Sequence, residues 1–396
     1  MPVKRPQEYK GFALLSFGFR PFFLMASLYG GLSVLIWLPF LRGYLEAGTT
    51  FLPVDWHMHE LFFGFITAVI CGFLFTSIPN WTGRLPVQGL PLLSMVTLWL
   101  MGRGAIFFSA HIGWIGALVI DGAFLCTLWA AISIEILKGR NWRNLKILIP
   151  LSFLTGSNIL FHLEAHYGGS AEYSKRIALA AIIAFILLIG GRIIPSFTRN
   201  WLVKFNPGRL PHPFALYEKI TLVFSIVTLF GWFLFPNNHL VGLLFWAAAI
   251  LLVGQLFRWA GNRALKAPLV LVLHSSYFFI PLGFMLMGGA ILFPSAVSPV
   301  AGIHALGTGA AANMILSVMV RSTKGHTGRT LRMEFADYAI FGSILFSAIT
   351  RIASALFPDQ EFFLLEISVL LWVIAFLGFA AAYSGALLNP KVRPFS

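Results

Sequence analysis

Residues 57–79 read HMHELFFGFITAVICGFLFTSIP. The first four positions contain two histidines and a glutamate, and the rest of the segment has no ionisable side chain except one cysteine. A membrane-spanning helix needs about 20 mostly apolar residues, so this segment predicts a transmembrane helix. The whole chain has the same character, because 58% of its residues are hydrophobic and only 11% are charged. A soluble protein could not cover so much apolar surface with so little charge. The composition therefore predicts an integral membrane protein.

Further segments of similar length and composition predict an all-α, polytopic membrane helix bundle of about twelve transmembrane helices. Short connections rich in Pro, Gly, Asn and charged residues separate them, and none is long enough to hold a soluble domain. We predict one transmembrane domain over residues 1–396, with cytoplasmic tails at 1–17 and 389–396. The predicted spans are residues 18–40, 57–79, 89–110, 113–136, 146–167, 175–198, 213–235, 239–258, 268–293, 297–320, 334–357 and 363–388.

The basic residues test this number of helices independently. When the connections are assigned alternately to two sides, with the N-terminus inside, 23 of the 28 Lys and Arg residues fall on the inner side. Omitting one helix would scramble the alternation from that point onward. The positive-inside rule therefore supports an even number of helices and cytoplasmic termini. This topology also accounts for the formal charge of +14, so we expect membrane lipid as a partner and no nucleic acid.

The second and tenth predicted helices share a pattern that suggests an internal repeat. From His59 to Arg84 is 25 residues, and from His304 to Arg329 is also 25 residues. A leucine, a glycine and a Thr-Gly-Arg triplet match within that frame. Both helices run from the outside to the inside in the predicted topology. We therefore expect the two histidines at similar depth, in the outer half of the membrane.

Two histidines at equal depth are candidates for the axial ligands of a haem, because imidazole is a standard axial ligand. The small residues Gly64 and Gly309 would let a macrocycle approach the backbone. Ligation of another metal by His59 and His304 is a second interpretation. In a third, the glycines only allow close helix packing and the histidines form hydrogen bonds between helices. The residues themselves leave all three interpretations open.

A second histidine pair predicts a metal site near the outer end of the fifth helix. His162 and His166 are four residues apart, so they lie on one helical face and can chelate one metal ion such as copper, iron or zinc. His57 is a candidate third ligand if the chain near the second helix folds over the fifth. The alternative is that such histidines are solvated at a helix end. Arg20 and Arg192 are candidates for holding an anionic group, or for reaching the lipid headgroups as topology markers.

Two other ionisable residues lie within predicted spans, where charge is costly. Asp121 lies near the centre of the fourth helix, and the sequence does not decide whether it is neutral, paired or part of a proton path. His274 lies close to Tyr277 in sequence, and we interpret it as a hydrogen-bonded core histidine rather than as a ligand.

Five ordered segments share a recognisable pattern: Phe17–Phe23, Trp56–Glu60, Asn80–Arg84, Gly190–Thr198 and Gly325–Arg329. Together they resemble the NnrS family of bacterial inner-membrane proteins. The resemblance implies a multi-pass protein that contains haem b and copper and is associated with denitrification and with resistance to nitric oxide or nitrosative stress. It places four histidines in the most characteristic segments without assigning a metal to each: His57, His59, His304 and His326.

Three functions follow from these patterns. The first is a membrane haem and copper protein that binds, reduces or oxidises a small diatomic ligand such as nitric oxide at an outer-leaflet metal site, as a membrane oxidoreductase if it turns over. The second is a transporter for a small solute or a metal, with histidines as transient ligands. The third is a scaffold that matures or protects other metalloenzymes. The sequence indicates no electron donor.

Overall fold

The computed structural model describes residues 9–391, and these fold into helices and connections without a β-strand. Twelve helices within them are long and apolar enough to cross a membrane, which confirms the all-α polytopic prediction. The predicted tails lie partly outside the described residues, at 1–8 and 392–396. The helices are α1 (Phe19–Leu41), α2 (Pro53–Thr82), α3 (Leu90–Phe107), α4 (Trp114–Lys138), α5 (Trp142–Gly168), α6 (Tyr173–Phe205), α7 (Leu216–Leu234), α8 (His239–Arg263), α9 (Pro268–Leu292), α10 (Pro299–His326), α11 (Phe335–Leu356) and α12 (Pro358–Leu388).

Local sequence sets the two ends of α2, the helix that contains the opening segment. It begins at Pro53, because the proline ring fixes φ for a first helical turn in which a backbone N–H would have no partner. It ends at Gly83, which adopts the left-handed conformation with φ 71° that commonly terminates a helix. The helix therefore begins four residues before the predicted boundary at 57. His57 and His59 lie inside the helix instead of at its start.

The helices pack as two compact units. Among the described residues, the first comprises 9–178, Met319–Thr330 and 376–391, so it contains α1 to α5, the start of α6 and the C-terminal ends of α10 and α12. The second comprises Leu179–Val318 and Leu331–Ala375, which hold most of α6 to α10, all of α11 and the first part of α12. The prediction of one domain over the whole chain stays a prediction.

Glycines allow α1 and α2 to approach closely within the first unit. A Cβ atom at Gly72 would lie only 2.9 Å from the Cβ atom of Phe22, and one at Gly30 would lie 2.8 Å from the ring of Phe65. Small residues at such positions are typical of membrane helices, which gain stability from close packing because the lipid is as apolar as their side chains. This close packing against α1 holds the part of α2 that contains His59 and Glu60 in place.

Helices α2 and α10 each contain a π-helical segment that directly follows a predicted histidine. The segments are Glu60–Ile66 and Ala305–Ala312. A π turn disturbs the regular backbone ladder and often marks a functional site. In α2 the indole N–H of Trp99 donates to the carbonyl of Gly64 at 2.9 Å, so a side chain from α3 stabilises the π segment. The repeat that relates the two helices stays a prediction.

We expect Trp99→Phe to destabilise the protein by about 1–3 kcal/mol, because the buried carbonyl of Gly64 would lose its donor while the aromatic packing remains. Thermal unfolding of the purified protein in detergent measures this change. Trp142→Phe is the matched control, since Trp142 is 63% exposed. Equal effects of the two substitutions would show that the indole hydrogen bond does not stabilise the π segment.

Candidate metal centre

The first unit contains a buried cluster of ionisable and amide side chains drawn from α2, α3, α4 and α5. Charged groups at membrane depth are costly unless they are paired, so such a cluster is a candidate functional site. It consists of two histidines, two carboxylates, one arginine and one asparagine, none more than 6% exposed: His59, Glu60, Arg103, Asp121, Asn158 and His162.

The π segment of α2 begins at the point where two consecutive side chains enter the cluster. The Nδ1 atom of His59 lies 2.9 Å from Oε1 of Glu60. Glu60 also accepts a hydrogen bond from the hydroxyl of Tyr29 on α1, and its Oε1 accepts one from Arg103 at 2.6 Å. A carboxylate held by two donors in this way acts as the acceptor for the N–H of His59. We therefore assign the proton of His59 to Nδ1, which leaves Nε2 with a lone pair.

That lone pair faces Asp121. The Nε2 atom of His59 lies 3.2 Å from Oδ2 of Asp121, and the Nε2 atom of His162 lies 3.3 Å from the same oxygen. Two acceptor atoms at this distance repel each other unless a proton or a metal ion lies between them. Ligands bound at about 2.0–2.1 Å in a tetrahedral arrangement are about 3.3 Å apart. The two separations from Asp121 therefore match the spacing of ligands around one metal ion.

Among residues 9–391, His59, Asp121 and His162 form the one group of three potential ligands whose binding atoms all lie within 4.8 Å of one another. Two imidazoles and a carboxylate form a common ligand set for transition metals and leave further positions open on the ion. The contact between His59 and Glu60 adds the carboxylate that commonly orients a metal-binding histidine. The donor set, the spacing and this supporting contact all fit a metal ion.

Arg103 joins the two carboxylates of the cluster. One terminal nitrogen donates to Glu60 at 2.6 Å, and the other donates to Oδ1 of Asp121. Asn158 donates to Oδ2 of Asp121 at 2.7 Å. These bonds fix the rotation of the Asp121 carboxylate, so that Oδ2 faces the two imidazoles while Oδ1 faces the guanidinium. Such charge-assisted bonds are stronger than neutral ones, and here they lie out of contact with water.

The structure places the other two histidines predicted for this region outside the group of three. His57 stacks on Trp37, with ring centroids 4.0 Å apart. His166 is exposed and stacks on Trp114, with ring centroids 4.4 Å apart. Four residues span slightly more than one helical turn, so His162 faces the cluster while His166 lies at the end of α5. The structure does not bring the predicted pair to one site, and their metal role stays a prediction.

Two more predicted residues, His304 and Arg192, belong to the second unit. The Nδ1 atom of His304 lies 2.9 Å from the carbonyl of Val300 in its own helix. Arg192 is half-buried on α6. In the same unit, the Nε2 atom of His274 lies 2.9 Å from the hydroxyl of Thr198, which confirms the interpretation of His274 as a hydrogen-bonded core histidine.

The surroundings of His59 fit a metal ion better than the face of a haem. Its Nε2 atom faces Asp121, and its ring contacts those of Phe51, Phe63 and Phe161 at centroid distances of 5.1 Å. A Cβ atom at Gly64 would lie 2.7 Å from Arg103, so protein side chains fill the space where a macrocycle was expected. A haem between His59 and His304 stays a prediction that the surroundings of His59 do not support.

Arg20 supports the end of a helix. Its NH1 nitrogen donates to the carbonyls of Ala386, Leu387 and Asn389 at 3.2, 2.9 and 2.7 Å. The last carbonyls of a helix have no partners within it, and a cation there also interacts favourably with the helix dipole. This contact at the C-terminal end of α12 explains why an arginine is buried here. Cofactor binding by Arg20 remains untested.

Three residues of the cluster have no role that the sequence alone predicts: Arg103, Asp121 and Asn158. The signal was nevertheless present, because Arg103 and Asp121 are ionisable residues inside apolar spans. The spacing along the chain could not predict that Arg103 and Asp121 lie close together, because they belong to two different helices.

Comparison with known proteins agrees with the resemblance in the sequence. A family model described as "NnrS protein" matches residues 13–391, which is nearly the whole chain. No curated protein matches the chain.

Arg103→Met should destabilise the protein by about 3–5 kcal/mol, because it would leave two buried carboxylates without their guanidinium. Thermal unfolding in detergent measures this loss. Arg84→Met is the control, since Arg84 pairs with Glu135 at the surface, where ion pairs contribute little. If the two variants were equally stable, Arg103 would not be the group that balances the cluster.

Proposed function

We propose that this chain, which belongs to the NnrS family, is a membrane metalloprotein of the response to nitric oxide or nitrosative stress. The family supports the association with nitric oxide. The distribution of Lys and Arg supports a location in the bacterial inner membrane with both termini in the cytoplasm. The observation that favours a metal-based function most is the convergence of His59, Asp121 and His162 in the first unit.

Copper is the ion that we propose for this group. Imidazole is a good ligand for copper, and the family resemblance implies both copper and haem b. The environment of His59 fits an ion rather than a macrocycle, so we propose that any haem lies elsewhere. His304 remains the predicted haem ligand in the second unit.

A copper ion would supply a redox-active centre at which a small diatomic such as nitric oxide binds and is reduced or oxidised. The chain's own residues prepare that centre. Glu60 fixes the orientation of the His59 imidazole, and Arg103 fixes the Asp121 carboxylate. Burial of all three ligands keeps bulk water away, which strengthens every electrostatic interaction within the cluster. Nitric oxide is uncharged, and therefore enters an apolar region of the membrane more easily than an ion.

Metal analysis of the purified protein tests this proposal. We expect stoichiometric copper in the wild type and loss of most of it in His59→Ala, His162→Ala and Asp121→Asn, because each removes a ligand or its charge. An optical or EPR spectrum of each sample should lose the copper signal in parallel.

His166→Ala is the matched control, because His166 lies on the same helix as His162, four residues away, but stacks on Trp114. It should retain the copper. The proposal fails if the wild type contains no stoichiometric metal. It also fails if His166→Ala loses the metal while His59→Ala and His162→Ala retain it.

A further inference from the structure

Three phenylalanines cover the two imidazoles of the candidate metal centre, and we call them the phenylalanine cap: Phe51, Phe63 and Phe161. Phe51 contacts both histidine rings, with centroids 5.1 Å from His59 and 5.4 Å from His162. Phe161 lies 5.4 Å from Phe51 and 5.7 Å from Phe63, so the three rings form a continuous apolar surface. A ligand that approaches from this side meets only hydrocarbon.

Phe51 differs from the other two because it belongs to a loop. It precedes α2, whereas Phe63 and Phe161 are held within helices. The backbone N–H of Thr50 donates to the hydroxyl of Ser109 at 2.9 Å, and the N–H of Ala110 donates to the carbonyl of Gly48 at 2.9 Å. Ser109 is completely buried, two residues beyond the end of α3. The loop therefore holds Phe51 over the imidazoles through a few specific hydrogen bonds.

Burial of the cluster also acts against an anion. Both terminal nitrogens of Arg103 already donate to the carboxylates of Glu60 and Asp121. A negatively charged ligand would have to lose its hydration to reach this buried site, and these two donors are not free to replace that hydration. An apolar ligand does not have this cost. The apolar surface and the cost of desolvation therefore favour the same class of ligand.

We propose that Phe51 determines the specificity of the metal centre by closing it against water and hydrated anions while small apolar molecules pass. This rests on the proposed function, because it requires a metal at His59, Asp121 and His162. Phe51 acts through contact with the two imidazoles, and Ser109 acts through the loop that positions Phe51. In this proposal, the loop from Gly48 to Phe51 controls access to the site.

Two small probes of different charge test this proposal: nitric oxide, which is uncharged, and azide, which is an anion. In the metal-loaded wild type, nitric oxide should change the spectrum of the bound metal at a far lower concentration than azide does. In Phe51→Ala, we expect the azide concentration needed for half of the spectral change to fall about tenfold or more, and a chelator to remove the metal about tenfold faster. Ser109→Ala should shift both readings in the same direction while the cap keeps all its rings.

Phe124→Ala is the control for loss of buried aromatic volume, because Phe124 is buried on α4 and packs against Phe22. It should behave as the wild type toward azide and the chelator. If the wild type holds no metal, the proposed function fails and this proposal fails with it. If the wild type holds metal but binds azide as readily as nitric oxide, only the role of Phe51 is overturned. The role of Phe51 is also overturned if Phe51→Ala and Ser109→Ala both respond to azide and to the chelator as the wild type does. If Phe51→Ala does not fold, the same response in Ser109→Ala alone overturns it.

Discussion

Arg103 donates to Glu60 and to Asp121 from the interior of a helix that is apolar enough to cross a membrane. In such a region an unpaired charge is costly, so the three groups are stable only together. Their mutual bonds hold α2, α3 and α4 at one distance and one rotation. The imidazoles of His59 and His162 both lie next to Oδ2 of Asp121, so the fixed carboxylate also sets where the two rings meet. The site thus depends on the same interaction that allows charged residues to be buried.

Other parts of the first unit hold the surroundings of these three charged groups in place. The π segment of α2 begins where His59 and Glu60 both enter the cluster, and Trp99 satisfies a carbonyl of that segment. Phe51 and its loop cover the histidines on the apolar side. The result is a small, buried polar interior covered by hydrocarbon, which suits an apolar ligand better than an anionic one.

The sequence predicted the fold well because the lipid imposes a simple rule: each crossing needs about 20 apolar residues, and loops carry the charge. The site was predicted only in part. His59 and His162 were identified individually, since ionisable residues are rare at membrane depth. The sequence did not predict that His59 and His162 lie at one site, because this depends on the packing of four helices. The spacing of His162 and His166 indicated a pair within one helix instead. The π segments were also unforeseen, because no residue type specifies them.

Anomalous diffraction from crystals of the metal-loaded protein, measured at the copper and iron absorption edges, tests the central claim most directly. The account predicts an ion within bonding distance of Nε2 of His59, Nε2 of His162 and a carboxylate oxygen of Asp121, with Glu60 still bonded to His59. An ion found instead at His57, His166 or His304, with no anomalous peak between His59, Asp121 and His162, would contradict it.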